Sequence, residues 1–262
     1  SKSLIEKLKI NKDDIEEVIL GNVFQTGVDS IFEARNIGLK LQLPLTTTAL
    51  IVNRNCASGM QAVISAVEEI MLNRAELILA CGAENMSQIP HIARGMRESA
   101  NFKNIVLEDF LLESLKHKFA KTSMPETAEN VAKKYHISRE EMDGYAFLSH
   151  KKAAEAYKKG VFKDEMLSFD IKIGDKAFKV DRDDNVREEI NIEKLNSLPG
   201  AFQQDGTVTA GNACAISDGA VSLLISSENY MKKRKLKPLA KIVDWAVTGL
   251  EPDLMGLGPI SA

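Results

Sequence analysis

Residues 46–71, TTTALIVNRNCASGMQAVISAVEEIM, constrain the fold more than any other stretch of the chain. An apolar, β-branched run (Ala49, Leu50, Ile51, Val52) ends in a polar turn, after which Met60, Val63, Ile64, Val67, Ile70 and Met71 recur at helical spacing. The expectation is strand, sharp turn, helix. Cys56 lies in that turn, and Ser58 and Gly59 follow it as a cap residue and a small residue at the helix start. A thiol placed there faces unpaired backbone N–H groups and the positive end of the helix dipole, which favour the nucleophilic thiolate. Cys56 is therefore the leading candidate for covalent chemistry, with a packed and inert cysteine as the alternative.

Around this stretch the same rhythm continues. Residues 1–13 read as the end of a helix, 16–23 as a short buried strand, 30–41 as a helix, and 75–81 (AELILAC) as a strand buried on both faces, so the first part is α/β. From Gly82 the texture turns polar and loses its period. Helices are expected at 110–119 and 127–136, and Ser138 with Glu141 forms a capping box that opens a long helix through Tyr157. A hairpin follows, with 169–173 and 177–180 alternating around Gly174-Asp175. Residues 206–210 and 219–226 restore the β-rich texture, as if the chain returned to the sheet it left, and 238–250 read as one more strand. The domain reading is accordingly 1–82 for the first part of an N-terminal domain, 83–205 for an inserted loop domain, 206–236 for the return, and 237–262 for the start of a C-terminal domain.

The 262 residues carry a net charge of −3, which gives no reason to expect a nucleic-acid partner, and the partner expected is a small molecule. Three cysteines, at 56, 81 and 214, with no CxxC pair, argue against a disulfide framework and a zinc site, so no metal is expected. No apolar run approaches the ~18 residues needed to span a bilayer, and a cytoplasmic location is expected, or an organellar one if a transit peptide has been removed. His91, His117, His136 and His150 sit in no motif that pairs them with Cys56. The segment 206–219, GTVTAGNACAISDG, is dense in small and hydroxyl residues and could cradle an anionic or amide-rich ligand, yet it matches neither the dinucleotide nor the P-loop pattern. Lys172, Lys176, Lys179, Arg182 and Arg187 are interleaved with Asp181, Asp183 and Asp184.

Five motifs in order, VNRNCASGMQA at 52–62, CGAENMS at 81–87, TAENVA at 127–132, DGTVTAGNA at 205–213 with DGA at 218–220, and MGLGP at 255–259, resemble the thiolases, the acyl-CoA acetyltransferases. The resemblance implies a layered α/β domain with an inserted, mostly helical loop domain. It implies an acetyl-CoA C-acyltransferase of fatty acid metabolism, in which Cys56 attacks an acyl thioester and passes the acyl group to coenzyme A or to an acetyl-CoA carbanion. Coenzyme A and acyl-CoA are then substrates, with no covalently bound cofactor. The turn's own backbone N–H would help stabilise the oxyanion, Arg187 would lie near the nucleotide, Phe202 and Ala210 near the pantetheine, and Met124 near the acyl pocket.

Two departures bear on this. Cys214-Ala215 stand where the family commonly has Ser-Gly at the cofactor, and Ser123 stands where some members carry His. The family's N-E-A-F, G-H-P and C-x-G segments and its R-T-P segment do not occur in these residues, so the expectation is a fragment of a longer chain that is half-reactive or inactive alone. The family also implies a homodimer or tetramer, with ENMS near the start of the loop that links dimers. A catalytically silent coenzyme A binding or assembly module is the alternative. A ketoacyl synthase relative is disfavoured by TVTAGNA and MGLGP.

Overall fold

The computed structural model describes residues 1–98 and 104–262. In chain order the principal elements are α1 (Lys2–Leu8), β1 (Glu17–Gly21), α2 (Glu33–Leu41), β2 (Thr48–Val52), α3 (Ser58–Met71), β3 (Leu77–Asn85), α4 (Met124–Tyr135), α5 (Arg139–Lys158), the hairpin β4 (Phe169–Ile173) and β5 (Lys176–Val180), α6 (Ile192–Asn196), β6 (Asp218–Ser226) and α7 (Glu228–Arg234). They form two compact units, one of Ser1–Ser114 with Ile216–Val247 and one of Leu115–Ala215 with Thr248–Ala262. The fold is α/β.

In the first unit the strands run β6-β3-β1-β2, with β1 parallel to both β2 and β3 and β6 antiparallel to β3. Strand alternation builds two cores from one sheet. Val18 and Leu20 of β1 and Leu77, Leu79 and Cys81 of β3 face one way, onto Ile5, Ala34, Leu41 and Tyr230 of α1, α2 and α7. Ile19, Ile78 and Ala80 face the other way, onto Ala62 and Ala66 of α3. The two fully buried alanines give α3 a smooth face that lies close on the sheet, and this close seat fixes the height of its N-terminus. The sheet is thus mixed where 75–81 alone suggested a parallel one, and β3 runs on to Asn85 because β6 supplies partners as far as Asp218.

In the second unit both long helices open on capping boxes, Ser123 with Glu126 and Ser138 with Glu141. The first begins at Met124, ahead of the expected 127, because Ser123 closes the box and Pro125 suits the first turn. Three other expectations are corrected. Residues 206–210 form no strand, because the Thr207 and Val208 N–H groups are taken by the Glu129 carboxylate and are lost to any ladder. Residues 238–250 pair with no strand among the described residues, and Leu239 and Val243 are fully or largely exposed. The helix expected at 110–119 is only Phe110–Ser114, after which Lys116–His117 pair with Thr122–Ser123.

Candidate active site

The side chains of Asn53 and Ser58 build the NRNCAS turn. The Asn53 Oδ1 accepts the Asn55 N–H at 3.0 Å and its Nδ2 donates to the Val23 carbonyl at 3.3 Å, which ties the turn to the end of β1. Asn55 takes φ of 48°, the left-handed region that Asn tolerates better than most residues, and this reverses the chain immediately before Cys56. Ser58 Oγ accepts the Arg54 N–H at 2.8 Å and donates to the Asn55 carbonyl at 2.6 Å. Arg54 in turn reaches forward, its Nε donating to Gln61 Oε1 at 2.6 Å.

Ser58 therefore does not cap α3 as expected. Ala57 is the N-cap, without a side-chain cap bond, and Ser58 is buried as the closing pin of the turn. The Ala57 and Ser58 N–H groups donate to the Arg54 and Asn55 carbonyls at 3.1 and 3.0 Å, so the two amides nearest the thiol on its helical side are already engaged. Cys56 itself is exposed, while Cys81 is the buried cysteine of the core. Gly21 lets the helix start sit on the sheet, whereas a side chain at Gly82 would find ordinary contact distances. A Cβ at Gly21 would stand 2.3 Å from the Ser58 carbonyl oxygen, and one at Gly82 would stand 3.7 Å from the Gly59 Cα.

Met124, Arg187, Phe202, Ala210 and Cys214 belong to the second unit. Phe202 shares a cavity with Ser123, the residue before Met124. Ala210 and Cys214 flank Asn212 in a tightly bonded turn, and both are exposed. The Asn212 amide donates to Asp143 Oδ1 at 2.9 Å and to the Thr207 carbonyl at 3.0 Å, and its Oδ1 accepts the Thr209 N–H at 2.8 Å. Arg187 is held from α5, where its N–H donates to His150 Nδ1 at 3.2 Å. Burial, and then the Arg187 charge, push the His150 imidazolium below its usual range, which keeps that nitrogen free to accept.

The residues that hold this turn were missed in the sequence. Glu129 of TAENVA accepts the Thr207 N–H, the Thr207 hydroxyl at 2.6 Å and the Val208 N–H at 2.7 Å, so two motifs 78 residues apart are one structure. Burial alone would push the Glu129 carboxyl up, but the Thr207 hydroxyl, the two N–H groups and the Arg139 charge together hold it below the usual carboxylate range. Asp143, fully buried on α5, receives Arg139 Nε at 2.7 Å, and the same guanidinium caps the carbonyls of Leu195 and Leu198. The signal available for Glu129 was its place inside a motif. Asp143 gave none, since an acid on a charged helix reads as solvated.

Residues 1–229 match the family model "Thiolase, N-terminal domain". The chain is 40% identical over its whole length to human mitochondrial 3-ketoacyl-CoA thiolase, and spans 66% of that protein's length. It is 40% identical to the acetyl-CoA acetyltransferase of Chromobacterium violaceum, of which it spans 67%. The crystal structure of the human 3-ketoacyl-CoA thiolase superposes with a TM-score of 0.96, again over all of this chain and 66% of that one. The structure of the same human thiolase in complex with CoA superposes at 0.93. A strand, an asparagine-built turn carrying an exposed cysteine and a helix laid on the sheet by alanines thus sit within a known architecture, and the chain belongs to the thiolase family, whose N-terminal domain it matches.

Proposed function

We propose that the protein is a thiolase-type acyltransferase that moves an acyl group between acyl-CoA and either coenzyme A or acetyl-CoA through a thioester on Cys56. The observation that carries this reading is the exposed Cys56 on a strand-to-helix turn with a left-handed Asn55, held by the side chains of Asn53 and Ser58. The Cys56 thiolate attacks the thioester carbonyl, the coenzyme A thiolate leaves, and the acyl group stays on sulfur until an acceptor thiolate or carbanion takes it. Met124 is assigned to the acyl end of the ligand, Phe202 and Ala210 to the pantetheine, Arg187 to the nucleotide, and Cys214 to a contact with coenzyme A. The superposable human thiolase in complex with CoA supports a coenzyme A ligand for this fold.

Residues 83–205 act as the loop domain in this reading, 206–236 return to the N-terminal domain, and 237–262 lead into a C-terminal domain. The assembly is a homodimer or tetramer, in the cytoplasm or, as the names of several relatives suggest, in an organelle. Among the described residues no helix is long and apolar enough to cross a membrane.

The test is intact-mass and peptide analysis of these 262 residues after incubation with acetoacetyl-CoA, beside Cys56→Ser. One acyl group on the peptide holding Cys56, and none in the variant, is expected. Coenzyme A binding without any adduct would leave only the silent module. Of the four histidines only His91 belongs to the first unit, where its Nε2 stands 4.0 Å from Asp109 Oδ2, and among the described residues no histidine is hydrogen-bonded to the Cys56 thiol. General acid–base help is worth ~10²–10⁴-fold, and turnover by these residues alone should stay near background.

A further inference from the structure

Strand β1 ends at Gly21, and the three residues that follow it turn their donors onto one side chain. Glu84, near the end of β3 and paired there with Gly219 of β6, accepts the Val23 N–H on Oε2 at 2.9 Å and the Phe24 N–H on Oε1 at 3.0 Å. The buried Asn22 amide donates to the same Oε1 at 3.3 Å and to the Ala83 carbonyl at 2.9 Å. We propose that Glu84 is a positioning residue for the Cys56 thiol, acting through the 23–24 peptide and Asn53. The inference rests on the acyl-transfer reading above, because it concerns how that thiol is presented to a thioester.

The connection runs through one rigid plane. The Phe24 N–H and the Val23 carbonyl belong to the same planar amide, so fixing one end fixes the other. Glu84 holds the N–H end, and the carbonyl end accepts Asn53 Nδ2 at 3.3 Å. The Oδ1 of that same Asn53 side chain accepts the N–H of Asn55, the left-handed residue immediately before Cys56, at 3.0 Å. A carboxylate on the N–H end gives a charge-assisted bond and polarises the amide, which strengthens what its carbonyl accepts from Asn53. A glutamine at 84 would keep one acceptor oxygen for the two backbone N–H groups and turn two donors of its own towards them. Ser58, the other support of the turn, bonds to Arg54 and Asn55 and not to Glu84. Loss of the Glu84 charge therefore shifts the turn without dismantling it. All of these residues lie in the first unit.

The test compares two rates on the peptide that holds Cys56 in the 262-residue chain, acylation by acetoacetyl-CoA and alkylation by iodoacetamide. Acylation needs an oriented thiol, whereas a small alkylating reagent needs only an exposed one. In Glu84→Gln acylation should fall about 10-fold while alkylation stays within about 2-fold of the unaltered chain. Asn53→Ala should do the same, and the double variant should be no slower than the slower single, because both substitutions break one connection. If Glu84→Gln fails to fold, Glu84→Asp, which keeps the charge but withdraws it by one methylene group, should show the same selective fall in acylation. Unchanged acylation in a folded Glu84 variant, an equal fall in both rates, or a double variant slowed by the product of the two singles overturns the positioning role and leaves the acyl-transfer reading standing. No acylation of Cys56 in the unaltered chain overturns that reading and this inference with it.

Discussion

At the scale of single residues, Gly21 and Glu129 do more for the candidate site than their chemistry suggests. A methyl group at Gly21 meets the backbone carbonyl of Ser58 at 2.3 Å and the Gly59 N at 2.6 Å, atoms that no rotamer change can move aside. Gly21→Ala should therefore cost about 1–3 kcal/mol and displace the start of α3, slowing alkylation of Cys56. Gly27, whose added Cβ would meet nothing within 4 Å, is the control, and Gly27→Ala should be close to neutral in denaturant melts and in labelling. Equal effects at both positions would refute the packing argument. Glu129 is the counterpart in the second unit. Its folded carboxyl lies below the reference value of 4.5, so the stability it contributes is present above that pH and is lost as pH falls through the depressed folded value. Glu129→Gln should cost about 1–3 kcal/mol at neutral pH, and the gap to the unaltered chain should close below pH 4.5. A gap that stays constant down through the acid range would mean the carboxylate charge is not what holds Thr207 and Val208.

At the scale of elements, α7 shows how a short helix is fixed by one aromatic residue. Tyr230 is buried in the first core, and its hydroxyl donates to Asp14 Oδ2 at 2.8 Å, where Arg234 also reaches. Burial, then the hydrogen bond and charge of Asp14, push the phenol up from 10.0 to about 12. A raised folded value means that this contribution is whole below pH 10 and is lost as pH rises towards 12. Tyr230→Phe should be destabilised at about pH 8 and should lack that alkaline loss, so the two melting curves converge between pH 10 and 12. Parallel curves would sink the assignment. The elements themselves divide by how local their cause is. Strands β1 and β3, helix α3 and the Ser138 box are legible in the sequence because apolar spacing and a side-chain cap are written within a few residues. The irregular backbone at 206–210 is not, since the Glu129 carboxylate that removes the Thr207 and Val208 N–H groups from strand pairing lies 78 residues away from Thr207. The Ser123 box is written in the sequence as S-x-x-E, but the more apolar run from Thr127 masks it as the helix start. Cys56 is legible as a turn residue, whereas the role of Ser58 is not, because whether a hydroxyl caps forward or pins backward is decided by the left-handed Asn55 before it.

At the scale of the whole molecule, each compact unit buries its own set of residues. Val18, Ile19, Leu20, Ile78 and Leu79 are sealed within the first, and Thr127, Asp143, Leu195 and Thr209 within the second. Amide exchange follows local opening, so the slowest amides of the first unit should be those of β1 and β3, which pair on both sides within the sheet. Residues 238–250, with no ladder among the described residues, should exchange fastest outside the termini. The two residue-scale variants make this a test of the division. Gly21→Ala removes stability from the seat of α3 and should speed exchange in β1, α3 and β3 while leaving α4 and α5 as they were. Glu129→Gln should do the reverse, loosening 207–212 and α4 while leaving the sheet unchanged. Peptide-resolved exchange in which either substitution accelerates both sets by the same factor would show that the chain opens as one cooperative body, and the two cores would then have to be treated as one.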